Sequence, residues 1–91
     1  LLGDIIIDRG KYIIVKKGRE IKLPRKEFEL LELLASKPDK VFTREQIFEK
    51  VWGNDVIIGD RTIDVHIRRI REKLESDNIK TIKGVGYKYE S

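Results

Sequence analysis

The feature that most constrains this chain is a change of hydrophobic period at Pro24. Before it, apolar residues come in short runs separated by turn formers: Ile5 to Ile7, then Asp8, Arg9 and Gly10, then Tyr12 to Val15, then Lys17 and Gly18, then Glu20 to Leu23. That pattern predicts an antiparallel meander of short strands. After Pro24 the spacing becomes helical, and helical segments separated by a short link and a loop follow to about Glu75. It then reverts: Ile79 to Ile82, a turn at Lys83 to Gly86, and Tyr87 to Glu90 read as a two-stranded hairpin. Sheet, helices and hairpin within 91 residues make one α+β domain, residues 1–91, with room for a single core. Leu1 and Leu2 begin mid-pattern without a starter methionine, so a further segment is expected upstream.

Three helices are predicted. The first starts at Pro24, tolerated in a first turn, and runs to about Ser36, with Pro38 stopping it. Phe28, Leu30, Leu31, Leu33, Leu34 and Ala35 cover most of its wheel and leave Glu29, Glu32 and Ser36 as a narrow polar stripe, which marks it as the central buried helix. Val41 and Phe42 make a short extended link. Thr43 with Gln46 then forms a capping box for a second helix of about two and a half turns, whose apolar face is Ile47, Phe48, Val51 and Trp52 and which Gly53 ends. A loop, Gly53 to Gly59, carries the apolar run Val56, Ile57 and Ile58 before Asp60 caps a third helix reaching about Glu75.

Charge singles out that third helix. The chain has 20 Lys and Arg against 16 Asp and Glu, a net +4, and Arg61 to Lys73 alone holds five basic and two acidic groups. Ile63, Ile67, Ile70 and Leu74 form one apolar stripe for the core. The opposite face, centred near Val65, carries Arg61, Thr62, Arg68, Arg69 and Glu72, flanked by Asp64, His66, Arg71 and Lys73. Arginine forks can bond two acceptors at once, on a phosphate or on the edge of guanine, and the short Thr62 and Val65 let the backbone approach a groove floor. Asp64, four residues before Arg68, is placed to hold that guanidinium. A basic solvated face is the plain alternative, but helix, loop, helix and then a basic hairpin with Lys83 and Lys88 is the order of a winged helix-turn-helix.

Other chemistries lack their residues. With no cysteine and one histidine there is neither a disulfide framework nor a metal-ligand set, and no cofactor is expected. The three serines, Ser36, Ser76 and Ser91, sit near element ends with no base beside them, so the chain is not read as an enzyme. Gly84 and Gly86 lead from strand to strand and are turn glycines rather than a dinucleotide loop. No apolar run approaches the roughly 20 residues that span a bilayer, and the reading is of a soluble domain without a membrane partner. RNA readers expose stacking aromatics, whereas the aromatics here fall mostly at core-facing or strand positions. A winged helix used for protein contact is the stronger rival.

Three segments carry a family resemblance: LPRKEFELLELLASKPDKVFTREQIFEKVWG from Leu23, RTIDVHIRRIREKLE from Arg61, and TIKGVGYKY from Thr81. Together they resemble the DNA-binding output domain of the OmpR/PhoB family of bacterial response regulators, almost continuously from Leu23 onward. The resemblance implies a winged helix-turn-helix with a four-stranded N-terminal sheet, three helices and a C-terminal hairpin wing. It implies that helix 61–75 enters the major groove, with Thr62, Asp64, Val65 and Arg69 reading bases. It assigns phosphates to Trp52, Arg61, His66, Arg68, Arg71, Thr81 and Tyr87, and the minor groove to Lys83 on the wing 79–90. Trp52 and Tyr87 can equally serve the core. Lys83 stands where many members carry Arg, which gives up a bidentate fork, and Lys26 stands where Ser or Thr often caps the first helix. The loop residues Asp55, Val56, Ile57 and Ile58 would contact RNA polymerase, or the apolar three would tuck into the core. Expected partners are double-stranded DNA with tandem half-sites, an upstream receiver domain and, through it, a sensor histidine kinase, all in a bacterial cytoplasm.

Overall fold

The computed structural model describes residues 5–53 and 61–90, with Arg61 known by its backbone alone. Three strands, β1 (Ile5–Asp8), β2 (Ile13–Lys16) and β3 (Arg19–Lys22), form an antiparallel sheet in the order β1-β2-β3. Its register sets Ile7 opposite Ile14 and Ile14 opposite Ile21, one inward row across the sheet. Lys17 and Gly18, at φ 51° and 79°, make the two-residue turn between β2 and β3, the left-handed pair whose twist suits a hairpin. The four-stranded sheet implied by the resemblance is thus three-stranded among the described residues.

Helix α1 (Arg25–Ser36) follows. Pro24 is its N-cap and no side chain caps it, so the pre-set φ of proline does the starting. Phe28, Leu30, Leu31 and Leu34 have no exposed surface, each such burial being worth about 1.5–3 kcal/mol, and Leu33 is half-buried. Beside them Glu27 is buried too.

The short link becomes a strand. β4 (Phe42–Thr43) pairs with β6 (Gly86–Tyr89), which pairs with β5 (Ile79–Ile82), giving a second sheet in the order β4-β6-β5. The expected hairpin is therefore the outer two-thirds of a three-stranded sheet, with its turn at Lys83–Val85. Gly86 is a strand residue rather than a turn glycine. A β-carbon there would lie 1.9 Å from the Phe42 carbonyl oxygen, so only glycine lets β6 lie this close to β4. Gly84, at φ 76°, is the turn glycine.

Thr43 closes the capping box as the spacing predicts: its hydroxyl accepts from the Gln46 amide at 3.1 Å, and Gln46 Oε1 accepts from the Thr43 amide at 3.0 Å. Helix α2 (Arg44–Ile47) then widens into a π-helical stretch, Phe48–Trp52, ended by Gly53 at φ 77°. Gly53 N–H bonds back to both Phe48 and Glu49 carbonyls, the five-residue and four-residue reach together. Helix α3 (Arg61–Leu74) lays Ile63, Ile67, Ile70 and Leu74 into the core, each at most 2% exposed. Asp60, its expected cap, and the whole loop Asp55–Ile58 lie outside the described residues. At the far end Glu75 takes φ 51°, and Lys16 from β2 donates to the Leu74 carbonyl and, at 3.3 Å, to that of Glu75, placing a cation at the negative end of the helix.

Candidate nucleic-acid interface

The interface is built from α3, the end of the second helix and the wing sheet. Along α3 the outward positions are exposed in order: Val65 at 42%, then Arg68, Arg69 and Glu72. Arg69 makes no hydrogen bond or ion pair to any described residue. Arg68 meets Glu72 only loosely, at 3.7 Å, with both side chains mostly in solvent. Such a contact contributes little, and both guanidiniums stay available to an anion.

The flanking residues are held. His66 Nδ1 lies 2.7 Å from the Thr62 carbonyl, which as an acceptor requires the proton on that nitrogen. The edge-on ring of Trp52 sits 5.1 Å from the His66 ring. Trp52 is half-buried, so it packs against the core and borders the α3 face at once. Trp52 is the last residue of the π-helical stretch that ends the second helix.

Arg71 is committed to the protein. Its Nη2 donates to the Ile79 carbonyl at 2.8 Å and to Thr81 Oγ1 at 2.9 Å, and its Nε adds a second bond to Ile79 at 3.1 Å. The sequence reading gave Arg71 and Thr81 to phosphates; in the structure they clasp α3 to β5, because the guanidinium fork finds a carbonyl and a hydroxyl within reach. Lys73 likewise turns inward to Glu27, at 3.1 Å. Lys83 stands exposed at the wing turn, with no hydrogen bond or ion pair to any described residue, beside Val85, which is 46% exposed.

Asp64 departs from expectation. It is held by Arg44 of α2, whose Nη1 lies 2.6 Å from Oδ1, and by the Tyr87 hydroxyl, which donates to the same oxygen. Arg68, the partner that the i, i+4 spacing suggested, goes to Glu72 instead. The Arg44 guanidinium also lies over the Tyr87 ring, 5.3 Å from its centre. Tyr87 itself is 4% exposed, a core residue with its hydroxyl at the interface. Burial, then the hydrogen bond and charge of Asp64, push its phenol above the ordinary value, and Arg44 pulls the other way. Arg44 is in turn raised, chiefly by its bond to Asp64.

Sequence reasoning missed Arg44, Lys16 and Glu27. Lys26, noted as a departure at the first cap, proves to donate to the Val51 carbonyl at 2.7 Å and to Glu29 at 3.2 Å, tying α1 to the end of the second helix. Only Glu27 left a trace in the sequence, as an acidic residue three and four positions before Leu30 and Leu31, away from the polar stripe of Glu29, Glu32 and Ser36.

A basic helix seated on a helical scaffold, with a three-stranded wing clasped to it, defines a winged helix-turn-helix. The family of C-terminal domains of transcriptional regulatory proteins matches residues 18–89. The chain belongs to this family, and is an OmpR/PhoB-type C-terminal DNA-binding domain. It is similar to the phosphate regulon transcriptional regulatory protein PhoB of Rhizobium meliloti, 43% identical over 93 residues that cover 98% of this chain and 41% of that protein. It thus spans about two-fifths of the length of that relative. Among solved structures it is similar to the response regulator DrrB, an OmpR/PhoB homolog of Thermotoga maritima, with TM-score 0.89 and 40% identity over all of this chain and 43% of that one. The Klebsiella pneumoniae RstA DNA-binding domain, solved in complex with the RstA box, aligns with TM-score 0.87 and 26% identity over 99% of this chain and 94% of that one.

Proposed function

We propose that this domain binds duplex DNA sequence-specifically to control transcription, with α3 in the major groove and the wing over the adjacent minor groove. The observation that carries the reading is the division of α3: four apolar residues wholly in the core, and Val65, Arg68 and Arg69 exposed on the opposite side. Arg69, with Thr62, Val65 and Asp64, faces bases. Arg61, Arg68, His66 and Trp52 face phosphates, and Lys83 lies at the minor groove. Arg71, Thr81 and Tyr87 act mainly by holding the wing and α3 in register, a narrower role than direct contact.

The wider setting is part of the same proposal. A receiver domain precedes this one in the bacterial cytoplasm, a sensor histidine kinase phosphorylates it, and paired domains occupy tandem half-sites about one helical turn apart. Residues Asp55, Val56, Ile57 and Ile58 contact RNA polymerase. The receiver domain and the kinase are supported by family membership.

Selection from a random duplex library, followed by titration of the enriched and a scrambled duplex at two salt concentrations, tests the reading. A single enriched motif whose affinity falls with salt at a log–log slope near about −5, the value for roughly six phosphate contacts, is expected. Binding that is flat with salt would instead make the arginine face a protein-contact surface.

A further inference from the structure

Asp64 is an acid at the start of the helix that meets DNA, on a face otherwise arginine-rich. A bare carboxylate there would repel phosphates and swing between rotamers. Instead Arg44 Nη1 binds its Oδ1 at 2.6 Å while Nη2 lies 3.4 Å from the Tyr87 hydroxyl, which donates to that same Oδ1. Three elements meet in this node: the first residue of α2, the first turn of α3 and strand β6. Both bonds converge on one corner of the carboxylate, and the Asp64 side chain remains 44% exposed.

We propose that Arg44 is a positioning residue for base readout: it cancels the charge of Asp64 and fixes its carboxylate as an oriented acceptor, suited to a cytosine amino group in the major groove. Carboxylates accept from that amino group, and an acceptor locked before binding loses less freedom on contact. Lysine cannot replace Arg44, because one ammonium cannot bridge Asp64 and Tyr87 while lying flat over the ring. This inference rests on the proposed function and assigns Arg44 a role through Asp64 rather than through phosphate.

The test is library selection with the 91-residue chain and its variants Arg44→Ala, Arg44→Lys, Asp64→Asn and Arg44→Ala with Asp64→Asn, each checked for folding by circular dichroism. Asp64→Asn is expected to lose about tenfold preference at one base position. Arg44→Ala should lose the same preference at the same position, and should change it no further when Asp64 is already Asn. Arg44→Lys, which keeps the charge, should hold scrambled duplex within a few-fold of wild type and still lose the preference, so it carries the test if the alanine variant unfolds. Arg44 variants that keep the wild-type preference overturn the inference. So does Arg44→Ala weakening every sequence alike in both backgrounds with a salt slope shallower by about 0.9, the mark of a plain phosphate contact. An Asp64→Asn variant that keeps every preference overturns it as well. Failure of the wild-type chain to enrich any motif would overturn the function itself and the inference with it.

Discussion

Lys73 of α3 reaches Glu27 of α1 at 3.1 Å, and the Glu27 side chain is 2% exposed against 38% for Lys73. The pair joins the most buried helix to the one that bears the arginines, from beneath. Removing the cation strands a carboxylate in the core. Lys73→Ala is expected to destabilise the domain by about 1–3 kcal/mol, the cost of one unsatisfied buried group and below that of breaking a fully buried pair, because Lys73 is partly hydrated. Lys73→Arg should be close to neutral. Urea unfolding measures both, and an alanine variant as stable as wild type would show that the bond contributes nothing.

Arg68 and Arg69 are neighbours with different expected effects. Arg69→Ala should relax base preference by about 1–3 kcal/mol, whereas Arg68→Ala should weaken all sequences alike and reduce the salt slope by about 1. Competition titrations on single-base variants of the selected site separate the two. Identical behaviour of both variants would collapse the distinction between reading and holding.

Two wing glycines differ as sharply. At Gly86 an added methyl meets the Phe42 carbonyl at 1.9 Å, so Gly86→Ala must displace β6 from β4. A loss of about 2–3 kcal/mol is expected, the usual scale for overpacking, which in a domain this size lowers the melting midpoint by roughly 10 °C or more. Gly84→Ala meets open space and suffers only its φ of 76°, about 1 kcal/mol. Thermal melts should rank Gly86→Ala well below Gly84→Ala, and the reverse order would contradict the close approach of the strands.

The raised phenol of Tyr87 sets a pH dependence. Below its ordinary value of 10.0 the phenol is protonated in folded and unfolded chains alike, and its contribution is fully present. Above that value the unfolded chain releases the proton first, so stability falls as pH rises through the folded value. Denaturation between about pH 9 and 11 should show this loss, and Tyr87→Phe should flatten it. An unchanged alkaline slope in Tyr87→Phe would remove Tyr87 as its source.

The helices and the strand-rich ends were legible because their signals are local. The α3 stripe of Ile63, Ile67, Ile70 and Leu74, and the Thr43–Gln46 box, depend on residues a few positions apart and reappear in the structure. The pairing of β4 with β6 was not legible: Phe42 and Tyr87 are 45 positions apart, and two extended residues give no periodicity. Separations of 20 and 46 positions likewise hid Arg44 from Asp64 and Lys73 from Glu27, where the partners lie on different helices. Local spacing even misdirected, since Asp64 and Arg68 satisfy the i, i+4 rule yet bond elsewhere. Arg71 is legible in the sequence as a cation on the flank of α3, whereas its carbonyl partner Ile79, across the turn into β5, is not.

The strand shared between the scaffold and the wing has a consequence for the nucleic acid. With β6 bonded to β4 on one side, β5 on the other, and Arg71 clasping β5 to α3, the spacing between helix and wing is a fixed dimension of the protein. A duplex engaging both must match that dimension by changing its own groove width or curvature. Operators would then be sorted partly by stiffness, with pliable pyrimidine–purine steps favoured at positions no side chain touches.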